Sequence, residues 1–215
     1  MADTIKIMEA ALSDNNKAAE ENRRFFREKN LFAINMISSP GSGKTSILER
    51  MGGHFGRKLA VITGDIQMTY DAERIEKSGA YALQIETGGS CHLSAAMVKK
   101  GLETVPLSGV TVLVIENVGN LVCPSTFDLG EDIKTAVLSV AEGDEKPAKY
   151  PPLFVRADAV IINKIDLLPY VDFNVERAVL DCRKLNNTVN IFKTSCKTGE
   201  GLDEYFNYIK ALIKQ

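Results

Sequence analysis

Seven short apolar runs, separated by more polar stretches, limit the fold of this 215-residue chain more than any other feature. The runs cover residues 32–38, 58–63, 81–86, 110–116, 135–140, 158–164 and 189–194, and helical patterns cover 13–30, 44–55, 71–79, 92–104, 171–186 and 201–213. Strands that are apolar along their length are typical of a parallel sheet buried on both faces. The alternation therefore predicts an α/β fold with three layers, in which a mostly parallel sheet of about seven strands carries helices on both faces.

A glycine-rich loop, SSPGSGKTS, follows the first run and precedes a helical pattern. Its glycines allow backbone N–H groups to turn toward phosphates, Lys44 can reach the β- and γ-phosphates, and the Thr45 hydroxyl can bind Mg²⁺. Ser38 stands where this pattern usually has its first glycine, and we expect a small residue there to make the same bend. The predicted phosphate-binding residues are Ser39, Pro40, Gly41, Ser42, Gly43, Lys44, Thr45 and Ser46. The loop predicts a P-loop NTPase fold.

Two further motifs predict that the base of the nucleotide is guanine. In NKID, the Asp166 carboxylate can accept hydrogen bonds from guanine N1–H and the 2-amino group, which adenine does not offer in that arrangement. The Lys164 stem can lie over the base, and Asn163 can tie this loop to the phosphate loop. After the last run, SCK places Ser195, Cys196 and Lys197 near guanine O6.

Acidic residues after other runs are candidates for Mg²⁺ binding and hydrolysis. In IENVGN, Glu116 can hold Mg²⁺ through water, and the Gly119 N–H can contact the γ-phosphate. Asp65 is favoured for orienting the attacking water and Asp71 for the Mg²⁺ side, although Asp71 is alternatively a helix N-cap. The predicted catalytic residues are Lys44, Asp65, Asp71 and Glu116, with Thr45, Asp71 and Glu116 around Mg²⁺. We expect slow intrinsic hydrolysis, since no motif places a stabilising arginine in the site.

Composition excludes several other functional classes. The net charge of −2 gives no general electrostatic reason to bind nucleic acid or an acidic membrane. The N-terminus lacks the basic and apolar regions of a signal peptide, and no apolar run reaches the length of a membrane span. We therefore expect a cytoplasmic protein whose four cysteines are free thiols or metal ligands and not a disulfide framework.

Taken together, the motifs resemble those of one family, the hydrogenase nickel-incorporation GTPases (HypB) of the SIMIBI class. The similar segments include NMISSPGSGKTS, TGGSCHL, ENVGNLVCP, EGDEKPAKYP and NKIDLL. The resemblance implies a homodimer when GTP is bound, which inserts nickel into the precursor of the [NiFe]-hydrogenase large subunit with another accessory protein as its metal partner. It also implies that Cys91, His92 and Cys123 bind Ni²⁺ or Zn²⁺ at the dimer interface.

Without the resemblance, the residues favour two buried thiols and a histidine at a helix cap over a metal site. The reason is that 32 positions separate the cysteines and no C-x-x-C motif occurs. Thiolate and imidazole suit Ni²⁺ and Zn²⁺, and a position at the start of the helical pattern 92–104 would lower the thiol pKa. Ser94 and Ala96 replace an aspartate and a second histidine that the family typically carries, so we expect a simpler or weaker site. His54 is expected at the surface, and Cys182 is expected to be structural.

Residues 1–30 are expected to form a helical extension packed on or near the core, and residues 31–215 the GTPase domain. Two other functions stay open on the sequence: a GTPase that serves urease, and a nucleotide-dependent switch without a metal.

Overall fold

In the computed structural model, which describes residues 2–65 and 70–213 of the chain and the side chains of 12–64 and 70–213, seven strands form one sheet. The strands are β1 (Phe32–Ser38), β2 (Leu59–Asp65), β3 (Tyr81–Glu86), β4 (Val112–Glu116), β5 (Ile133–Ser139), β6 (Ala159–Asn163) and β7 (Asn190–Thr194). Each predicted run overlaps one strand, so the seven strands are confirmed; β2 extends past the predicted end of its run, and β5 begins before the predicted start of its run.

The strand order is β3-β2-β4-β1-β5-β6-β7, and every pairing is parallel. The sheet is thus parallel throughout the described residues, whereas the prediction was a mostly parallel sheet. β1 lies in the middle, between β4 and β5, and the chain turns in opposite directions on its two sides. In such sheets the crevice at the carboxyl ends of the strands, beside this switch point, is where ligands bind.

Helices fill the segments between the strands. They are α1 (Ala2–Glu28), α2 (Lys44–Phe55), α3 (Tyr70–Lys77), α4 (Ala95–Leu102), α5 (Cys123–Thr126), α6 (Lys146–Lys149), α7 (Pro151–Arg156), α8 (Val175–Leu185) and α9 (Leu202–Ile213), with 3₁₀ turns at Gly56–Lys58 and Ile165–Tyr170. The charged segment 141–152 contains α6 and the start of α7. A proline occupies the first turn of both, where its missing N–H costs no hydrogen bond.

Alternate residues of each strand face opposite layers, as the pleat requires. On one side, Ile34 and Met36 of β1 pack with apolar residues of α2, α3 and α9. On the other, Ala33 packs under α1 and α4, and Ile37 packs near α7 and α8. This arrangement confirms the predicted α/β fold with three layers.

The N-terminal helix α1 is longer than the predicted helix, which began at residue 13, and it lies mainly against α4. Its Ala19 and Phe26 are buried in the core beneath the sheet. Its Arg23 donates to both carboxylate oxygens of Asp128, at 2.9 and 2.8 Å. The division into an extension and a GTPase domain stays a prediction.

Among the residues that the structure describes, no helix is both long and apolar enough to cross a membrane.

Candidate functional site

The carboxyl ends of the central strands open into a cleft of about 540 Å³. The strand register brings these ends level, because Met36 of β1 and Thr63 of β2 both lie beside Glu116 of β4. The cleft is lined by Pro40, Gly41, Gly43, Lys44, Thr45, Ser46, Thr63, Gly64, Asp71, Arg74, Glu116, Asn117, Val118, Gly119 and Lys164. Its volume falls within the range of small-molecule sites in proteins.

The loop between β1 and α2 has the backbone geometry of a phosphate cradle. Gly41 and Gly43 have φ values of 76° and 98°, in the left-handed region that side chains disfavour. A Cβ atom on Gly43 would lie 2.5 Å from the Asn163 side-chain nitrogen, so this position has no room for a larger residue. The helix α2 begins directly at Lys44, which directs its N-terminal dipole at the cleft.

Ser38, in place of the usual glycine, is built into this loop through its hydroxyl. Its Oγ accepts hydrogen bonds from the Lys44 ammonium at 2.7 Å and from the Ser42 hydroxyl at 2.6 Å, and donates to the Ser39 carbonyl. The residue is fully buried and its φ is not positive. The loop therefore keeps its shape without the glycine, and the serine contributes an acceptor for the loop lysine.

Three oxygen-bearing side chains meet at the start of α2. The Thr45 hydroxyl lies 3.1 Å from Asp71 Oδ2 and 3.4 Å from Glu116 Oε1. Hydroxyl and carboxylate oxygens are the ligands that Mg²⁺ prefers, usually together with waters and substrate phosphates. The residues predicted to surround Mg²⁺ thus come together, and their chemistry fits the ion.

The two aspartates of the segment after β2 are placed differently. Asp71 lies in the first turn of α3 and faces Thr45, one residue inside the helix and therefore not at its N-cap. Asp65 ends β2, and its side chain lies outside the described residues. Its predicted role in orienting water stays a prediction.

Arg74 lines the cleft beside Asp71. It donates to both Glu49 carboxylate oxygens, at 3.0 and 2.6 Å, and to Asp71 Oδ1 at 3.4 Å. Glu49 and Asp71 raise the pKa of its guanidinium, so it is always charged. The sequence could have indicated this position, because Arg74 follows Asp71 by three residues and residues at that spacing share one face of a helix.

The predicted guanine-binding loops are tied to the phosphate loop by direct hydrogen bonds. The buried Asn163 amide donates to the Ser42 carbonyl at 3.0 Å, and the Lys164 ammonium donates to the Gly41 carbonyl at 2.6 Å. Asp166 Oδ1 accepts from the Ser195 hydroxyl at 2.6 Å, which joins NKID to SCK. These contacts connect NKID and SCK to the phosphate loop.

Cys196 and Lys197 follow Ser195 in this loop. The Arg50 side chain of α2 donates to the Cys196 carbonyl, with its Nε at 2.9 Å, and so fastens the loop to the helix that follows the phosphate loop. Burial raises the pKa of the Cys196 thiol to about 11, so this thiol stays protonated.

The predicted metal ligands lie on two neighbouring loops. Cys91 Sγ lies 3.5 Å from His92 Nδ1, and the adjacent Cys123 thiol, by its hydrogen bond, raises the pKa of Cys91. This corrects the expectation of a thiol with a lowered pKa. The physical reason is that α4 begins only at Ala95, so Cys91 and His92 precede the helix and miss its N-terminal dipole.

The ligand set is incomplete within one chain. Over the described ranges, no three His, Cys, Asp or Glu side chains converge closely enough to hold a metal ion. His92 stacks on Phe127 with ring centroids 3.9 Å apart, and burial lowers its pKa, which favours the neutral imidazole that binds metals. Cys91 is exposed and Cys123 half-buried, so both thiols are accessible from outside the molecule.

Ser94, which replaces a family aspartate, is the N-cap of α4. Its side chain accepts a hydrogen bond from the Met97 N–H at 3.3 Å. Serine and aspartate are equally good N-caps, so the replacement keeps the start of the helix unchanged. Ala96 follows on the exposed face of the first turn, where the second family histidine would stand.

The comparison with known proteins agrees with this geometry. Residues 32–193 match the model of the "CobW/HypB/UreG, nucleotide-binding domain" family. The chain belongs to this family. The match begins with β1 and ends within β7, so it includes every strand of the sheet.

Individual relatives are close over nearly the whole chain. The chain is 46% identical to the hydrogenase maturation factor HypB of Azotobacter chroococcum, over 96% of its own length and 68% of that protein. It is 43% identical to the hydrogenase/urease maturation factor HypB of Helicobacter pylori (strain J99), over 95% and 86%. A crystal structure of HypB from Helicobacter pylori in complex with nickel superposes with a TM-score of 0.90 at 39% identity, over 94% and 95%.

His54 and Cys182 lie outside the site, as expected. His54 is exposed on α2 with its ring against Phe206, and Cys182 is buried in α8, where burial raises its pKa to about 12.

Proposed function

We propose that this protein is a GTP-dependent nickel metallochaperone that assists nickel insertion into a [NiFe]-hydrogenase precursor. The proposal rests on how the phosphate loop is contacted from two sides. The NKID loop is hydrogen-bonded to it, and the segment around Gly119, which also contacts it, leads directly to Cys123. The Gly119 Cα approaches Pro40 so closely that an added Cβ would lie 2.9 Å from the proline ring. The same segment reaches the start of α5 at Cys123 four residues later.

In this proposal, GTP lies with its phosphates at Lys44 and its base at Asp166. Mg²⁺ would be held by Thr45, with Asp71 and Glu116 on its outer side, and would neutralise charge on the β- and γ-phosphates. Lys44 holds the phosphates, and Asp65 orients the attacking water. The Arg74 guanidinium forms ion pairs with Glu49 and Asp71, so it stabilises the negative charge of the transition state poorly, and hydrolysis is slow.

Nickel is cargo in this proposal. Cys91, His92 and Cys123 offer two sulfurs and an imidazole, which suit Ni²⁺ or Zn²⁺, and three ligands leave a four-coordinate site open. A second chain completes the site when GTP promotes a homodimer. An accessory protein supplies the metal, and the precursor of the hydrogenase large subunit receives it. Neither nucleic acid nor a membrane takes part, and the transfer takes place in the cytoplasm.

A second client, urease, is favoured by one observation. The Helicobacter pylori relative is named a hydrogenase/urease maturation factor. The client is distinguished by supplying the nickel-loaded protein and GTP to purified apo-hydrogenase precursor or apo-urease, and counting radioactive nickel transferred to each.

The central test joins the nucleotide to the oligomeric state and the metal. Sedimentation velocity is run with GDP or a non-hydrolysable GTP analogue, with and without Ni²⁺, on wild type and Cys91→Ser. We expect dimers with the analogue, and nickel bound in the wild type only. His92→Ala should lose nickel in equilibrium dialysis, whereas the matched variant His54→Ala should not. A monomer under all conditions, or nickel binding indifferent to all three ligands, would contradict the proposal and favour a nucleotide switch without a metal.

A further inference from the structure

The loop that carries Cys91 and His92 is fastened to the nucleotide cleft at the next residue, Leu93. Leu93 is fully buried, and its backbone N–H donates a 2.9 Å hydrogen bond to the side-chain oxygen of Asn117. Its side chain covers the end of β2, because a Cβ atom on Gly64 would lie 2.6 Å from Leu93 Cγ. Both Gly64 and Asn117 line the cleft. The loop with two predicted metal ligands thus contacts the walls of the nucleotide site directly.

Asn117 is held in one orientation by several contacts. Its side-chain oxygen also accepts from the Val118 N–H at 3.1 Å, and its amide nitrogen lies 3.3 Å from Asn35 Oδ1, to which it donates. Its backbone N–H donates to the Met36 carbonyl of β1. With 1% of its surface exposed, the side chain has no access to water as an alternative partner. The acceptor offered to Leu93 therefore moves only when the backbone of this loop moves.

The position of Asn117 in the chain connects the Leu93 contact to the nucleotide cleft. It stands between Glu116, at the Mg²⁺ side, and Gly119, which touches Pro40 of the phosphate loop. A buried N–H that loses its acceptor is strongly unfavourable. When a γ-phosphate shifts the loop around Gly119, Leu93 either follows Asn117 or leaves its N–H unpaired. The unpaired N–H is the unfavourable outcome, so Leu93 follows Asn117 and displaces the adjacent His92.

We propose that Asn117 is the positioning residue through which the bound nucleotide sets the metal affinity of the Cys91–His92 loop. The inference rests on the proposed function, and it supplies a second connection beside the direct path from Gly119 to Cys123. The second connection explains how ligands on two separate loops respond to one nucleotide together.

The test compares Ni²⁺ affinity in the presence of GDP and of a non-hydrolysable GTP analogue, measured by equilibrium dialysis on the full chain. For wild type we expect the two affinities to differ about 5- to 150-fold, the usual scale of coupling between two sites. Asn117→Ala should bring this ratio close to one. The matched control is Asn186→Ala, which removes a 2.9 Å bond to the Ala157 carbonyl at the opposite end of the sheet and should keep the wild-type ratio.

A measurement on wild type makes the test independent of how well Asn117→Ala folds. The hydrogen-exchange rate of the Leu93 amide should differ between the two nucleotide states, because the bond to Asn117 is its protection. An unchanged rate, or a wild-type affinity ratio in a folded Asn117→Ala variant, would overturn the inference and leave the proposed function intact. A wild-type nickel affinity indifferent to nucleotide would instead overturn the proposed function, and the inference with it.

Discussion

Replacing Asp166 by asparagine tests base recognition most directly. Asp166 lies in the 3₁₀ turn after β6, and the Ser195 hydroxyl orients one of its carboxylate oxygens at 2.6 Å. The preceding Lys164 has a φ of 63°, in the left-handed region, so a strained turn aims this loop at the cleft. No other carboxylate of NKID or SCK is available to accept from guanine.

The magnitude follows from the two bonds that the carboxylate would make with guanine. Each charge-assisted bond contributes about 1.5–3 kcal/mol, and an amide replaces one acceptor oxygen by a donor. Losing one bond, with the amide donor then facing a guanine donor, costs at least about 1.5–3 kcal/mol, which lowers GDP affinity by at least about 10- to 150-fold. Xanthine carries an oxygen in place of the 2-amino group, so the amide of Asn should recover binding of xanthosine diphosphate.

Isothermal titration calorimetry with both diphosphates measures this exchange of preference. The matched variant Ser195→Ala keeps the carboxylate and loses only its orienting bond, so it should weaken GDP binding less and gain nothing for the xanthosine nucleotide. Wild-type affinity for GDP in Asp166→Asn would refute the reasoning and remove Asp166 from the base site.

Three other predictions concern hydrolysis, thiol reactivity and stability. Asp65→Ala should abolish single-turnover phosphate release with GTP affinity largely kept; if it hydrolyses at the wild-type rate, Asp71 becomes the candidate for orienting water. Iodoacetamide at pH 8 should alkylate the exposed Cys91 well before the buried Cys182, whose pKa is raised to about 12, as peptide mass spectrometry will show; equal rates would contradict the burial of α8. Gly201→Ala should lower the melting temperature by several degrees, because its Cβ would overlap a β7 carbonyl and its φ is 71°; an unchanged melting curve would count against that turn.

The sequence by itself determined the strands and most of the nucleotide site. Most strands are largely apolar, and this pattern is a local property of the sequence. The phosphate loop and NKID carry their chemistry within a few adjacent residues, so their roles follow from residue type and spacing. The family of the chain followed from the same short motifs.

Helix starts were less predictable, as the loop before α4 illustrates. The apolar pattern suggested a helix from residue 92, yet the Ser94 side chain caps the helix and sets its first residue at Ala95. Several residues near that point suit a helix start, and the one that caps depends on how the loop is anchored. The later start leaves Cys91 outside the helix, and the neighbouring Cys123 thiol and burial raise its pKa instead.

Only the tertiary structure decided which loops touch. The bond from Asn163 to the Ser42 carbonyl joins positions 121 residues apart, and the bond from Leu93 to Asn117 joins positions 24 apart. Such contacts depend on the order of strands in the sheet, which places β4 between β1 and β2. Hydrophobic periodicity specifies whether a segment is a strand but not which strand lies beside it. The contact between the Asn117 segment and the loop of Cys91 and His92 therefore exists in the folded chain alone.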